Sequence, residues 1–163
     1  MLRSADHAVL RDLARIAGRE GLRFFVIGAG ARILGYDQPH AVTSGRGTTD
    51  WDVAVRVASW TEYAQLRRAL TVDGGPFRPS GIEHRLVHAQ GRFLDIVPFG
   101  EVEAPDRTVV YPEGGTTHSV LGLRECEGGC VAVDVGEGVT VMVVGPVGLV
   151  LLKAQAYLDR RPG

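Results

Sequence analysis

The chain contains 163 residues, a length that suits a single domain able to bury about two-thirds of its unfolded surface. Hydrophobic residues make up 45% of the sequence and charged residues 23%, which excludes a disordered or fibrous protein and fits an ordinary globular one. The formal net charge of −1 gives no overall basic field, so contact with nucleic acid would require a local patch of arginines.

Cysteine content and hydropathy restrict the protein further. Cys126 and Cys130 are too few for a disulfide framework and lack the spacing or histidine partners of a zinc site, so we expect two reduced thiols. The N-terminus has no long apolar segment, and glycine and proline interrupt the longest apolar run, residues 139–152. We therefore expect a cytoplasmic protein with no signal peptide and no membrane span.

The first third of the chain alternates helices and strands. Apolar spacing predicts a helix over residues 4–20 and a buried strand over 22–27. Gly28-Ala29-Gly30 then turns the chain into a short helix over 31–35. A polar loop over 37–49 is long enough to have a function, and it leads into an apolar strand.

The remainder of the chain is predicted to contain, in order, a helix over 59–70, a hairpin over 82–89 and 92–97, a hairpin over 131–135 and 139–144, and a helix over 146–158. Ser59 and Glu62 form the capping-box pattern that opens the first of these helices. The turn of the first hairpin is predicted at Gln90-Gly91, which places Asp95 on its second strand.

Three aspartates lie on these predicted strands. Asp50 and Asp52 are two residues apart at the start of an apolar run, so side-chain alternation puts both on one face, roughly 7 Å apart. Asp95 lies between apolar neighbours, where an unpaired charge would be expensive. Carboxylate oxygens are the ligands that hard cations prefer, so the three acids predict a site for Mg²⁺ or Mn²⁺.

Glycine amides and cations are candidates for binding phosphate. The amides of Gly28, Ala29 and Gly30 precede a predicted helix, and glycine permits an anion to approach closely. Arg32, Thr48 and Thr49 are auxiliary candidates. Lys153, the only lysine, carries a compact ammonium suited to meeting a phosphate, with a surface lysine lying along an amphipathic helix as the alternative.

The glycine turn and the acids after it also permit a different fold. A strand, a glycine turn and an acid about 20 residues later form the signature of dinucleotide-binding domains. Ile33 stands where that signature needs its third glycine, and Asp50 and Asp52 precede their apolar run although a ribose-binding acid would follow it. Both details favour the metal-site interpretation.

Histidines and tryptophans are weaker candidates. His84 and His88 share one face of a predicted strand, which leaves a histidine-centred metal site as an alternative although no third ligand has a useful spacing. Trp51 and Trp60 are predicted to be core residues, with base stacking as the alternative role.

Three segments together resemble the minimal nucleotidyltransferases of the DNA polymerase β-like superfamily: Ile27-Gly28-Ala29-Gly30, Asp50-Trp51-Asp52-Val53 and Leu94-Asp95-Ile96. They provide a small-residue turn, an acid pair with one residue between, and a later acid among apolar residues. Within that superfamily the chain is most similar to AbiEii-type nucleotidyltransferases, the toxin halves of abortive-infection and type IV toxin–antitoxin systems. This closer likeness is carried by residues 48–52, residues 94–100 and Leu151-Leu152-Lys153-Ala154 with Asp159-Arg160-Arg161.

The resemblance implies a fold and an activity. It implies one nucleotidyltransferase-like domain over residues 1–163, of the α/β (α+β) class, with a mixed sheet flanked by helices and a C-terminal helix. Its core would span about residues 22–145, and residues 146–163 would begin a C-terminal helical segment. The implied reaction is metal-dependent transfer of a nucleoside monophosphate from an NTP to a hydroxyl group of RNA such as tRNA, of a protein or of a small molecule. A cognate antitoxin is the implied partner.

The resemblance also assigns roles to residues. Asp50, Asp52, Asp95 and Lys153 would be catalytic, the three acids also holding the metal, and Asp95 would either bridge the metal or act as base. Two departures weaken the likeness: Ala29 separates the two glycines of the turn, and relatives continue beyond the position where this chain stops, at Gly163. These departures leave a non-catalytic nucleotide-binding or antitoxin-like module as the alternative.

Overall fold

A computed structural model describes residues 4–42 and 48–159 of the chain. Five helices and nine strands cover these residues: α1 (Ser4–Arg19), β1 (Phe24–Ile27), α2 (Gly28–Arg32), β2 (Asp50–Val57), α3 (Trp60–Leu70), β3 (Phe77–Pro79), β4 (Arg85–His88), β5 (Phe93–Gly100), β6 (Thr108–Val110), β7 (Thr117–Ser119), α4 (Leu123–Glu127), β8 (Val131–Asp134), β9 (Thr140–Val143) and α5 (Pro146–Asp159). A π-helical turn, Ile33–Asp37, continues α2. Part of the predicted loop, residues 43–47, and the basic pair Arg160-Arg161 lie outside the described residues.

Seven of the strands form one mixed sheet in the order β3-β4-β5-β2-β1-β9-β8. Strand β2 runs antiparallel to β1 and parallel to β5, and β9 runs parallel to β1. The mixed sheet, its flanking helices and the C-terminal helix confirm the predicted fold class. Because the two strands around the glycine turn are antiparallel neighbours, the dinucleotide-binding alternative, which needs a parallel sheet there, is wrong.

Helices α1 and α3 supply much of the core. The predicted amphipathic pattern of α1 is confirmed, since Val9, Leu10 and Leu13 are fully buried. The predicted cap of α3 is also present: the Glu62 amide donates to Ser59 Oγ at 3.2 Å, and Glu62 accepts from the Ala58 amide at 2.6 Å. These contacts satisfy backbone donors at the helix start, where no intrahelical partner exists.

The hairpin that carries Asp95 differs from its prediction in the turn. Val87 pairs with Phe93 and the His88 amide donates to Arg92 O, so the loop consists of residues 89–91, with Gly91 at a φ of +71°. A two-residue turn at Gln90-Gly91 would place Leu86 opposite Asp95. The longer loop places Arg85 there instead.

Several short elements were not predicted from the sequence. Strand β3 pairs with β4 at the sheet edge, β6 and β7 form a separate two-stranded sheet, and α4 precedes the β8-β9 hairpin. Helix α2 also begins at Gly28, three residues earlier than predicted. Trp51 is fully buried, which confirms its predicted place in the core.

Helix α5 is apolar in sequence but none of its residues is buried. Within residues 4–42 and 48–159, no helix combines the length and apolar character that a membrane crossing requires.

Candidate active site

The candidate site lies where β2 and β5 run side by side. Asp52 and Asp95 are direct partners in the parallel register of these strands, so their side chains project from the same face of the sheet. Asp50 lies two residues before Asp52 on the same strand and therefore projects from that face as well. Asp95 is buried, and the other two acids are half-buried. The strand pairing thus collects all three predicted acids.

Burial and mutual repulsion leave Asp52 in an unfavourable place for a negative charge. Burial is the largest effect, and the charges of Asp95 and Asp50 add to it, so that together they raise the pKa of Asp52 to about 6. The charge of Arg85 acts in the opposite direction. A bound cation would relieve this repulsion, which is the electrostatic signature expected of a cation site.

The glycine turn lies directly against Asp52 and its neighbour Trp51. Gly28 has a φ of +65°, and a Cβ atom at this position would lie 2.5 Å from Asp52 Oδ2. A Cβ atom at Gly30 would lie 2.6 Å from the Trp51 ring. The sequence predicts that these glycines let a phosphate approach; in the structure both glycines also allow α2 to pack closely on β2.

Arg85, which was not among the predicted site residues, forms ion pairs with two of the three acids. Its Nε donates to Asp95 Oδ1 and its Nη2 to Asp95 Oδ2, each at 2.7 Å. The same Nη2 lies 3.6 Å from Asp50 Oδ2. The hydrogen bonds that Arg85 donates to Asp95 raise the pKa of Arg85 above its ordinary value, so the guanidinium stays charged. The signal that could have found Arg85 is Gly91, because a three-residue loop ending in a left-handed glycine is a common hairpin type.

The remaining predicted site residues either contact another side chain or backbone atom or lie exposed at the surface. Thr48 Oγ1 donates to Asp50 O at 2.6 Å, and Thr49 Oγ1 donates to Asp50 Oδ1 at 3.0 Å, so both threonines position Asp50. Arg32 forms an ion pair with Asp37 at 2.8 Å. Ala29 is exposed, and Lys153 is exposed on α5, the helix that packs against α2.

The carboxylate oxygens at this site are ligands of the type that hard divalent cations prefer. Asp50, Asp52 and Asp95 would hold such an ion, because all three present carboxylates to one face of the sheet. In the described part of the chain, no three acidic, histidine or cysteine side chains are already arranged around a common ion position. The guanidinium of Arg85 instead donates to both carboxylate oxygens of Asp95.

The histidine-centred alternative receives no support from the geometry of His84 and His88. His88 Nε2 lies 3.1 Å from Asp12 Oδ2 of α1, on the sheet face opposite to Asp95. The ring of His84 packs against His118 and Tyr111, with centroid distances of 4.6 and 5.5 Å. Each histidine thus has its own structural partners.

The raised pKa of Asp52 makes stability depend on pH. Well below pH 4 the carboxyl is protonated in both the folded and the unfolded chain, so it has no effect on stability. Between about pH 4 and pH 6 it ionises in the unfolded chain first, so the folded chain loses stability across this range, and the loss is complete above about pH 6. Asp52→Asn removes that charge. We expect this variant to exceed the wild type in free energy of unfolding by about 2 kcal/mol at pH 8 in chelator-containing buffer, and by little at pH 4.

Thermal melts of both proteins at the two pH values check this expectation. Asp73→Asn, at an exposed aspartate in the loop after α3, is the matched control and should change stability equally at both. A constant difference between Asp52→Asn and wild type across the pH range would show that Asp52 is not electrostatically strained.

Comparison with known proteins gives structural neighbours only. No protein-family model and no curated protein matches the chain. Solved structures do match, among them the antibiotic-resistance factor ANT(2″)-Ia in solution, over 99% of this chain and 76% of that one, with 13% identity and a TM-score of 0.57. The crystal structure of ANT(2″)-Ia in complex with adenylyl-2″-tobramycin matches over 98% and 79%, with 16% identity and a TM-score of 0.56.

A protein from Thermotoga maritima is a further neighbour. TM1012, whose assignment as a nucleotidyltransferase is itself an inference, matches over 98% of this chain and 86% of that one, with 19% identity and a TM-score of 0.53. At such identities the likeness concerns the path of the backbone and leaves the substrate open. The mixed sheet, the helices that flank it and these neighbours together show that the chain has the nucleotidyltransferase fold.

Proposed function

We propose that this chain is a metal-dependent nucleotidyltransferase that moves a nucleoside monophosphate from an NTP to a hydroxyl group of an acceptor. The observation that carries the proposal is the side-by-side pairing of Asp52 with Asp95, with Asp50 two residues away on the same face. In the reaction, the acceptor oxygen attacks the α-phosphorus of the NTP. The bond between the α-phosphorus and the oxygen that bridges it to the β-phosphate breaks, and pyrophosphate leaves. The acceptor hydroxyl gives up its proton to Asp95 or, if Asp95 holds the metal, to solvent.

The three acids have distinct surroundings that support distinct roles. Mg²⁺ or Mn²⁺, when bound, supplies positive charge that stabilises the attacking and leaving oxygens. Asp50 and Asp52 would hold the metal, the former positioned by Thr48 and Thr49. Asp95 would either complete the ligand set or accept the proton of the acceptor hydroxyl. Holding the metal and accepting the proton both require the three carboxylates on one face of the sheet, and the register of β2 and β5 puts them there.

Phosphate binding is proposed for the start of α2 and for α5. The backbone amides of Gly28, Ala29 and Gly30 would receive the triphosphate next to Asp52. Lys153 is exposed on α5, the helix that packs against α2, and we propose that its ammonium meets the phosphates there. Arg32 would have to exchange its ion pair with Asp37 to reach the nucleotide, and we assign it a secondary role.

The acceptor and the partner are proposed from the resemblance to AbiEii-type proteins. An RNA such as tRNA is the first candidate acceptor, with a cognate antitoxin as the protein partner. A small hydroxylated molecule is the second, because the neighbour ANT(2″)-Ia was crystallised with adenylyl-2″-tobramycin.

The experiment that tests the proposal measures which phosphate of the NTP is transferred to the acceptor. The protein is incubated with each NTP carrying ³²P at either the α or the γ position, with total RNA or with tobramycin as acceptor, and with Mg²⁺ or Mn²⁺. We expect the α-label to enter an acceptor, the γ-label to appear in pyrophosphate, and a chelator to stop both. Entry of the γ-label into an acceptor would instead indicate phosphoryl transfer.

A non-catalytic nucleotide-binding or antitoxin-like module is the second candidate. The observation that favours it is Arg85, whose guanidinium neutralises Asp95 and approaches Asp50. Such a module would bind NTP, which equilibrium dialysis measures, but would transfer no label to any acceptor. Metal-dependent labelling by the wild type excludes this candidate.

Lys153→Ala is expected to weaken NTP binding about tenfold and to leave the maximal rate of transfer nearly unchanged. The proposed contact with phosphate exists before the reaction as well as during it, so its loss affects the ground state and the transition state alike. Steady-state kinetics with varied NTP separate KM from kcat. Arg78→Ala, which removes an exposed cation from β3, is the control and should change neither. A fall in kcat with KM unchanged would contradict the assignment.

A further inference from the structure

Arg85 occupies the carboxylates that a divalent cation would need. Its two donors cover both oxygens of Asp95, at 2.7 Å each, and one of them also approaches Asp50 Oδ2, at 3.6 Å. A metal ligand must direct an oxygen lone pair at the ion, and here the lone pairs of Asp95 that face the site accept hydrogen bonds from the guanidinium. Two positive charges at this place would also repel each other.

The surroundings of Arg85 hold it in place and still allow it to leave. Arg85 is the cross-strand partner of Asp95 in the antiparallel register of β4 and β5, so both side chains project from the same face. Its guanidinium carbon lies 5.0 Å from the centroid of the Phe93 ring, a cation–π distance. The side chain is 27% exposed, so the guanidinium borders solvent, and the flexible arginine side chain has room to turn outward.

We infer that Arg85 is an internal counter-ion that couples binding of the divalent cation to binding of the nucleoside triphosphate. The cation and Arg85 compete for Asp95 and Asp50, so the cation alone binds weakly. A triphosphate at the start of α2 offers the guanidinium a new anionic partner, because arginine pairs with phosphate as well as with carboxylate. Each ligand therefore increases the affinity of the protein for the other. The inference rests on the proposed function in two respects: that Asp50, Asp52 and Asp95 are the cation ligands, and that the triphosphate binds at the start of α2.

The test measures Mn²⁺ binding directly, without turnover. Electron paramagnetic resonance of free Mn²⁺ gives the dissociation constant for the wild type and for Arg85→Gln, with and without an NTP analogue that has a methylene group between the α- and β-phosphorus. A titration of the analogue without protein measures the Mn²⁺ that the analogue itself chelates, and this amount is subtracted. We expect Arg85→Gln to bind Mn²⁺ at least about tenfold more tightly than the wild type when no nucleotide is added. The analogue should then improve Mn²⁺ affinity strongly in the wild type and little in the variant.

Two further variants keep the test decisive. Arg92→Gln removes an arginine whose Nε bonds to Asp6 at the same distance, 2.7 Å, on the other face of the sheet, and it should leave Mn²⁺ affinity unchanged. Arg85→Lys keeps the charge but cannot form the fork, so its affinity should lie between those of the wild type and Arg85→Gln. If the glutamine variant does not fold, the comparison of wild type with Arg85→Lys decides the question.

The outcomes separate this inference from the proposed function. If wild type, Arg85→Gln and Arg85→Lys bind Mn²⁺ equally, or the variants bind it more weakly, Arg85 is not a competitor, although the cation site stands. If neither wild type nor any variant binds Mn²⁺, with or without the analogue, both the cation site and the role of Arg85 are wrong. The coupling is supported if both Arg85 variants bind Mn²⁺ more tightly than the wild type, Arg92→Gln does not, and the analogue increases Mn²⁺ affinity less in the Arg85 variants than in the wild type.

Discussion

Replacing Asp50 or Asp52 by asparagine is expected to lower nucleotidyl transfer by about a hundredfold or more, which corresponds to about 2.7 kcal/mol of transition-state stabilisation. Asparagine keeps the size of the side chain and removes one charged oxygen ligand. The chain should still fold, because both acids are only half-buried and Asp52 loses a charge that its neighbours disfavour. The measurement is the initial rate of α-label transfer, with circular dichroism to confirm the fold.

Asp134→Asn is the matched control for these two variants. Asp134 also lies on a strand of the sheet, β8, but it is exposed and accepts a hydrogen bond from the Gly136 amide rather than facing other acids. Transfer by this control should equal that of the wild type. If Asp50→Asn and Asp52→Asn also transfer label at the wild-type rate, the acids are structural. If the wild type binds NTP without transfer and both variants bind it equally well, the chain is a nucleotide-binding module.

Local patterns were sufficient to predict most of what surrounds these acids. Alternation along one strand places Asp50 and Asp52 on the same face, and the structure has them on a single strand, β2. A glycine after an apolar run placed Asp95 on the second strand of a hairpin, which is confirmed. The capping box at Ser59 and Glu62 likewise depends on neighbours in sequence, and it is present.

Local sequence patterns could not predict the pairing of Asp52 with Asp95, on which the site depends most. Asp52 and Asp95 meet because β2 and β5 pair in parallel, and the register of two strands so far apart in sequence depends on packing of the whole sheet. Arg85 shows the sensitivity of register within a hairpin: one additional loop residue moves Leu86 away from Asp95 and brings a cation to it. The role of Arg85 therefore depends on a single residue of loop length.

Elements without hydrophobic periodicity were also missed, for a physical reason. Strands β3, β6 and β7 have three residues each and helix α4 has five, too few to display a repeating pattern. Tertiary contacts stabilise such elements. In α4, for example, Leu123 and Cys126 are buried in the core.

Gly28→Ala is expected to reduce transfer by about a hundredfold, since displacement of a catalytic group by about 1 Å can have an effect of this size. A Cβ atom would lie 2.5 Å from Asp52 Oδ2, so the carboxylate must move away from its place beside Asp95. Alanine at a φ of +65° also costs about 1–2 kcal/mol of stability, because its Cβ crowds the following carbonyl. Rates of α-label transfer and melting temperatures measure the two effects.

Gly21→Ala separates backbone strain from the contact with Asp52. Gly21 has a φ of +71°, close to that of Gly28, but a Cβ atom there would meet no atom within 4 Å. Both alanine variants should therefore lose a similar part of their stability, whereas transfer should fall only in Gly28→Ala. Because the two substitutions introduce the same strain, a difference in activity isolates the position of the Asp52 carboxylate. Equal activity of the two variants would mean that Asp52 tolerates displacement and that its pairing with Asp95 is not the basis of catalysis.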